Sequence, residues 1–349
     1  MGLGLGAGAL GGHAAIVPAS APLIVYEGRQ VVEPTGAVRL AFPGVTTVLH
    51  FRGETLTLRA QATREGTALD VSVDGAAPTL VRLDTTERDY VLVPTGAATE
   101  HHVVIVRRNE NWQGKNRLVQ FDLGPTGTLL PALSRPTRKL LFIGDSVTCG
   151  AMAAWTPGTE LKAPTNANAR LSFGMELARR LGAQCQLVSC GGRGVIRDWQ
   201  GIRDAGNAPQ FYERAEPDAP QCRWPHRDYM PDAIGIQLGT NDFTQGIPDQ
   251  NEFVNAYVEL IRKVQRDAPA AQIFLMDSPI VNDEPTKGPR RTVLHAYLEQ
   301  VVALVGDSKV RLAPLSRFPG VPGDGHPTGA DHQTMANELE PLFRQALGW

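Results

Sequence analysis

The sequence of 349 residues predicts an N-terminal antiparallel β-sandwich followed by an α/β domain built on a parallel sheet. Three observations support this: a period-two hydrophobic pattern in the first third, apolar runs alternating with amphipathic stretches in the remainder, and a proline-containing segment between them. We expect a leader at 1–22, the sandwich at 23–128, a linker at 129–138 and the α/β domain at 139–349. The chain is long enough for each domain to have its own core.

The N-terminal region contains short alternating stretches. Leu56, Leu58 and Ala60, for example, share one face of an extended segment, which is typical of a strand with one buried side. Turn dipeptides such as Asp74-Gly75 separate the stretches. About eight strands of this kind predict a sandwich of the jelly-roll type.

The C-terminal region contains largely apolar runs, as expected for strands that are buried on both faces. They lie at 140–143, 185–188, 233–238 and 273–276, with a weaker fifth at 310–312. Amphipathic stretches lie between them, the first with Ser172 as its N-cap and Gly182 just past its end. This alternation predicts a three-layer α/β/α domain.

The composition excludes several classes of protein. A net charge of −2 gives no electrostatic reason to expect nucleic acid or an anionic membrane as a partner, and no run has the apolar length of a membrane span. The four cysteines are too few for a disulfide scaffold and match no zinc pattern, so free thiols are expected, with one bridge through Cys222 left open.

The N-terminal segment is rich in Gly and Ala and ends in Ala19-Ser20-Ala21. This ending resembles the cleavage region of a secretory signal, although the basic region is missing. A truncated signal and a flexible leader are the alternatives. We favour a secreted or periplasmic protein.

Three motifs follow predicted strands, where open α/β sheets build their sites. They are Gly144-Asp145-Ser146, Gly239-Thr240-Asn241-Asp242 and Asp324-Gly325-His326-Pro327. Together they offer a hydroxyl nucleophile, an amide donor for an oxyanion and an imidazole base, which are the groups that acyl transfer through serine requires. We expect Asp242 to tether its loop.

Competing residues are less suitable. Ser308 also follows Gly-Asp, but Gly306 has the position of a helix C-cap, so Ser308 is expected to be structural. Among the eight histidines, His326 alone lies in a Gly- and Pro-rich loop between the last strand and the last helix.

With these residues in place, the chain resembles the SGNH, or GDSL, hydrolases, whose four blocks correspond to Ser146, Gly192, Asn241 and His326. It is more similar still to carbohydrate esterase family 2, the two-domain acetyl esterases of plant polysaccharides. The motifs that carry this likeness are Val25-Tyr26-Glu27-Gly28-Arg29, Val73-Asp74-Gly75, Gly144-Asp145-Ser146-Val147-Thr148-Cys149-Gly150, Leu238-Gly239-Thr240-Asn241-Asp242 and His326-Pro327.

The resemblance implies removal of O-acetyl groups from plant cell-wall polysaccharide through an acetyl-enzyme. Ser146 is then the nucleophile and His326 the base. The N–H groups of Ser146 and Gly192 and the Asn241 amide form the oxyanion hole. An acetylated carbohydrate is the expected partner of a monomer, and neither a metal nor an organic cofactor is required.

Two details stay open. Asp324 lies two residues before His326, where most SGNH enzymes have three, so it either completes a triad or leaves a dyad in which a backbone carbonyl orients the imidazole. Gly194 competes with Gly192 for the oxyanion role.

Trp155, Trp199 and Trp224 are the residues expected to stack on sugar rings. The last two lie in the aperiodic stretch 198–232, which predicts a functional loop. Alternative functions are an SGNH lipase or thioesterase of longer acyl chains and an inactive carbohydrate-binding protein.

Overall fold

The computed structural model describes residues 15–349, and their first part folds into two antiparallel six-stranded sheets. The strands are β1 Ile16–Pro18, β2 Val25–Glu27, β3 Gln30–Val32, β4 Val38–Leu40, β5 Thr46–Gly53, β6 Leu56–Ala62, β7 Ala68–Val73, β8 Thr79–Arg82, β9 Arg88–Val93, β10 Thr99–Arg107, β11 Asn116–Asp122 and β12 Thr128–Leu129. One sheet has the order β3-β4-β11-β6-β9 with β1 on β11, and the other has β12-β5-β10-β7-β8 with β2 on β5.

The two sheets bury their alternating apolar faces. In β6, Leu56, Leu58 and Ala60 are completely buried while the residues between them are only partly so, as the period-two pattern predicts. The antiparallel sandwich is therefore confirmed.

The structure places the start of the sandwich earlier than the sequence suggests. Ile16–Pro18 pairs with β11, and Ala19 is completely buried. Cleavage after Ala21 would remove this strand, so residues 16–22 belong to the sandwich and not to a leader. The rest of the expected leader, 1–14, lies outside the described residues.

The second domain contains five parallel strands in the order β14-β13-β15-β16-β17. They are β13 Lys139–Gly144, β14 Gln184–Ser189, β15 Ala233–Gln237, β16 Gln272–Met276 and β17 Val310–Leu312. The helices are α1 Ser146–Cys149, α2 Phe173–Leu181, α3 Ala208–Phe211, α4 Gln250–Asp267, α5 Arg290–Val305 and α6 Gly329–Leu347. The weak fifth strand of the sequence analysis is present.

The helices cover both faces of this sheet. Helices α2 and α6 share a core with Phe142 and Phe274, whereas α4 and α5 share one with Ile143 and Ile236 on the other face. Adjacent strand residues point to opposite faces, so strands β13 to β16 each contribute to both cores. The three-layer α/β/α arrangement is confirmed.

Strand order determines where a site can form. The chain leaves β13 for β14 on one side and then crosses to β15 on the other. Such a reversal opens a crevice at the carboxyl ends of the two flanking strands. Gly144 and Gln237 are paired at these ends of β13 and β15, directly before two of the motifs found in the sequence.

Asp70 of β7 anchors the two domains to each other. It is 3% exposed and accepts hydrogen bonds from Arg108 of its own domain at 2.6 Å, and from Arg170 at 2.8 Å and Asn168 at 3.1 Å across the interface. Burial opposes its ionisation, but the Arg170 and Arg108 contacts outweigh that effect and hold its pKa below the usual range.

The aperiodic stretch 198–232 forms much of the remaining interface. Buried Arg29 donates hydrogen bonds to the carbonyls of Tyr212 and Arg214, and its guanidinium lies 5.5 Å from the ring centre of Trp224. This part of the aperiodic stretch therefore joins the two domains.

None of the helices among residues 15–349 has both the length and the apolar character needed to cross a bilayer. All four cysteines have free thiols, as expected, and three of them are buried.

Asp70→Ala should destabilise the protein by about 3–5 kcal/mol, because it leaves the buried Arg108 guanidinium without its counter-charge. Urea unfolding measures the change. Asp89→Ala is the control, since Asp89 pairs only with Arg59 on the exposed surface and should cost about 0–1 kcal/mol. Equal, small losses in the two variants would contradict the anchoring role.

Candidate active site

Ser146 lies at the turn between β13 and α1. Asp145 caps the helix by accepting the Val147 N–H at 3.0 Å, and Ser146 is the first helical residue, 9% exposed. A side chain at Gly144 would meet the Thr148 hydroxyl at 2.0 Å, so the tight turn requires glycine. The turn therefore presents the serine hydroxyl at the end of the central strand.

His326 connects the serine to a carboxylate. Its Nε2 lies 2.8 Å from Ser146 Oγ, and its Nδ1 lies 2.6 Å from Asp324 Oδ1. The same Asp324 oxygen accepts the backbone N–H of His326 at 3.1 Å. A spacing of two residues is thus sufficient for the carboxylate to reach the imidazole, and the geometry is that of a triad.

The charges around His326 favour its protonated form. Burial lowers the pKa of His326, but the hydrogen bond and charge of Asp324, helped by Glu110 and Asp145, outweigh burial and raise it above the usual value. The hydrogen bond with His326 lowers the pKa of Asp324. The base is therefore well suited to receive the proton of Ser146.

Asn241 and Gly192 lie on the wall of the cleft that contains Ser146. One N–H of the Asn241 amide donates to Arg193 O at 2.9 Å, which leaves the second free to donate. Gly194 is less suitable as a donor, because it is not part of the cleft wall. The geometry favours Gly192.

Asp242 tethers its loop, as expected. Its buried carboxylate accepts the backbone N–H groups of Val195 at 3.0 Å, Ile196 at 2.8 Å and Arg197 at 3.3 Å. Burial raises the pKa of Asp242 to about 6, against the opposing effect of these hydrogen bonds. The loop after β14 is thereby tied to the loop after β15.

The cleft has a volume of about 740 Å³ and contains one of the three predicted tryptophans. Trp199 is 52% exposed on its wall. Trp155 instead donates its indole N–H to Thr159 O at 3.2 Å, and Trp224 packs on Arg29 in the domain interface. Neither of them lines the cleft, so the structure does not support the expectation that Trp155 and Trp224 stack on sugar rings.

The sandwich contributes two wall residues that sequence reasoning missed, Glu110 and Trp112. Trp112 is 56% exposed and Glu110 is buried. They follow β10 in a short polar stretch that resembles any loop of the sandwich. Only the packing of the two domains brings this stretch to the serine.

One group of possible metal ligands occurs among the described residues, and it lies away from the cleft. Ligand atoms of Glu213, His226 and Asp267 are within 4.8 Å of one another. Cationic groups already contact Glu213, with Lys263 Nζ at 3.1 Å and Arg266 Nη2 at 3.6 Å. This cluster is an ion-pair network.

A serine, a histidine and an aspartate at the switch point of an α/β/α sheet define a serine hydrolase of the SGNH type. Sequence comparison agrees with this class. Residues 26–132 match the Carbohydrate esterase 2 N-terminal family, and residues 142–336 match the GDSL-like Lipase/Acylhydrolase family. The chain belongs to carbohydrate esterase family 2, and it is a carboxylic ester hydrolase.

Similar proteins share both domains. An acetylxylan esterase / glucomannan deacetylase of Cellvibrio japonicus is 37% identical over 335 residues, 95% of this chain and 91% of that protein. A family two carbohydrate esterase structure from Cellvibrio japonicus superposes with a TM-score of 0.91 at 36% identity, covering 97% of this chain and 99% of that one. A Clostridium thermocellum family two structure in complex with cellohexaose gives 0.85 at 30% identity, covering 93% and 99%.

Asp324→Asn should move the acidic limb of the kcat/KM profile to lower pH. The base must be neutral to act, and removing the carboxylate charge lowers the pKa of His326, so the neutral form persists to lower pH. We expect kcat to fall between about tenfold and about a thousandfold, less than in His326→Ala. Hydrolysis of 4-nitrophenyl acetate, followed across the acidic and neutral pH range, measures both effects.

Asp204→Asn is the control for this substitution, because Asp204 is exposed and has no hydrogen-bond partner within the described part of the chain. An unchanged profile in Asp324→Asn would show that a Ser146–His326 dyad does the chemistry.

Proposed function

We propose that this enzyme removes O-acetyl groups from plant cell-wall polysaccharide or oligosaccharide, of the acetylated xylan or glucomannan type. The observation that carries the proposal is the continuous contact from Ser146 through His326 to Asp324. An intact relay of this kind disfavours an inactive binding protein. The names of the relatives, acetylxylan esterase / glucomannan deacetylase, support the choice of substrate.

In the first half of the reaction, Ser146 Oγ attacks the acetyl carbonyl carbon while His326 Nε2 accepts its proton. The carbonyl oxygen becomes an oxyanion, which the N–H groups of Ser146 and Gly192 and the amide of Asn241 stabilise. His326 then protonates the departing sugar oxygen. The sugar leaves with a free hydroxyl, and the acetyl group stays on Ser146.

In the second half, a water molecule attacks the acetyl-enzyme. His326 accepts a proton from this water and returns one to Ser146 as acetate leaves. Asp324 stabilises the imidazolium in both halves, because its carboxylate lies 2.6 Å from Nδ1.

Trp199 and Trp112 supply the surfaces on which sugar rings would stack. Both are more than half exposed and both line the cleft, one from each domain. An open cleft with aromatic walls suits a sugar chain better than a long acyl chain, which needs an enclosed apolar pocket. A polymeric substrate also favours secretion, and the protein is expected to act as a monomer.

Ser146→Ala should abolish acetate release from acetylated xylan without changing the thermal unfolding midpoint, because the hydroxyl lines the cleft and adds little to the core. Ser308→Ala is the matched control. This second Gly-Asp-Ser follows α5 and does not line the cleft, so full activity is expected. Hydrolysis that survives in Ser146→Ala would refute the proposed function.

Asn241→Ala should lower kcat by about 10²–10³, the usual effect of removing one oxyanion donor, with little change in KM. Steady-state kinetics on acetylated xylo-oligosaccharide separate the two constants. If KM rises while kcat stays unchanged, Asn241 binds the ground state of the substrate and does not stabilise the oxyanion.

A further inference from the structure

Glu110 is a buried acid on the wall of the cleft that the reaction described above does not use. It belongs to the sandwich, precedes the short 3-10 helix Asn111–Gln113 and is 4% exposed. The same cleft contains Ser146 and His326. A carboxyl group in this position is normally satisfied by a cation or by several donors.

Within the described part of the chain, the carboxyl of Glu110 has no cation as a partner. No hydrogen-bond donor contacts its Oε2, and no ion pair forms with it within the described part of the chain. The neighbouring buried cation, Arg107, donates instead to backbone carbonyls, including that of Glu110 itself at 3.3 Å. Burial raises the pKa of Glu110 to about 7, and the charge of His326 and a hydrogen bond with Trp112 only partly offset this.

The carboxyl of Glu110 lies beside the backbone of Gly191. A Cβ on Gly191 would lie 1.9 Å from Glu110 Oε2 and 3.1 Å from the indole nitrogen of Trp112. Glu110 is therefore pressed against the loop that carries Gly192, with Trp112 beside it. Glu110 lines the cleft, although its Oε2 is itself covered by the neighbouring loop.

The other carboxylates of the cleft wall are already engaged. Asp324 is bonded to His326. Asp198 accepts the backbone N–H groups of Gln200 at 2.9 Å and Ile202 at 2.8 Å. Glu110 makes none of these bonds, so its carboxylate has capacity to accept a hydrogen bond from a ligand.

We propose that Glu110 is a specificity-determining residue, whose carboxylate accepts a hydrogen bond from a free hydroxyl of the acetylated sugar. This inference rests on the proposed function. A sugar hydroxyl is a neutral donor that supplies the missing partner, and the bond orients the sugar so that its acetyl group faces Ser146. An acetate ester without a sugar forms no such bond.

The test compares Glu110→Ala and Glu110→Gln with wild type on two substrates, acetylated xylo-oligosaccharide and 4-nitrophenyl acetate, at a pH about one unit above 7, where the carboxyl is ionised. Glu110→Ala should lower kcat/KM on the sugar substrate by about 10- to 100-fold, the effect of losing a hydrogen bond to a charged group. The loss on 4-nitrophenyl acetate should be clearly smaller, because this ester has no sugar hydroxyl to bind Glu110. Glu110→Gln retains an acceptor oxygen and should recover part of the loss.

Glu65→Ala is the control from the same domain, because Glu65 is exposed and outside the cleft. Thermal unfolding checks that each variant is folded. Equal losses on both substrates would overturn the inference, since Glu110 would then act on His326 or on the Gly191 loop. An unchanged rate on the sugar substrate would overturn it as well. A wild-type enzyme that releases acetate from 4-nitrophenyl acetate but from no acetylated glycan would refute the proposed function itself.

Discussion

The active site depends on one buried carboxylate that does not take part in the chemistry. Asp242 leaves the end of β15 and accepts three backbone N–H groups of the loop that follows β14. Strand β13, which leads to Ser146, lies between these two strands. The tether therefore spans the central strand and holds the loops of Gly192 and Asn241 together in the same crevice. Preorganised donors of this kind stabilise an oxyanion without having to reorient during the reaction.

The β-sandwich also helps to form the active-site cleft. Apolar residues of its interior form one continuous cluster with residues that cover one face of the parallel sheet. Polar anchors surround this shared core, with Asp70 on one side and Arg29 on the other. Because the interface is fixed, the loop with Glu110 and Trp112 stays in place beside the serine. The cleft is a product of both domains.

The sequence was sufficient wherever local chemistry determines structure. The runs that become strands are buried on both faces, and motifs at strand ends reach the crevice because parallel strands end at a common edge. The position of the Trp224 side chain could not be predicted in this way. An aromatic side chain in an aperiodic loop can pack on a neighbouring cation such as Arg29 as readily as on a ligand. Glu110 was missed because its role arises from contacts between domains. The orientation of Asp324 depends on a loop conformation that the spacing to His326 leaves open.

The shared cleft has a consequence for how such enzymes diversify. A lid or binding module joined by a flexible linker can be replaced without disturbing catalysis. Here the sandwich contributes a wall of the cleft, and Gly191 has no room for a side chain because Glu110 occupies that space. A side chain at position 191 therefore requires a smaller residue at position 110. The two halves of the molecule have to be inherited and altered together, and a chimaera of unmatched halves would lose its specificity before it lost its fold.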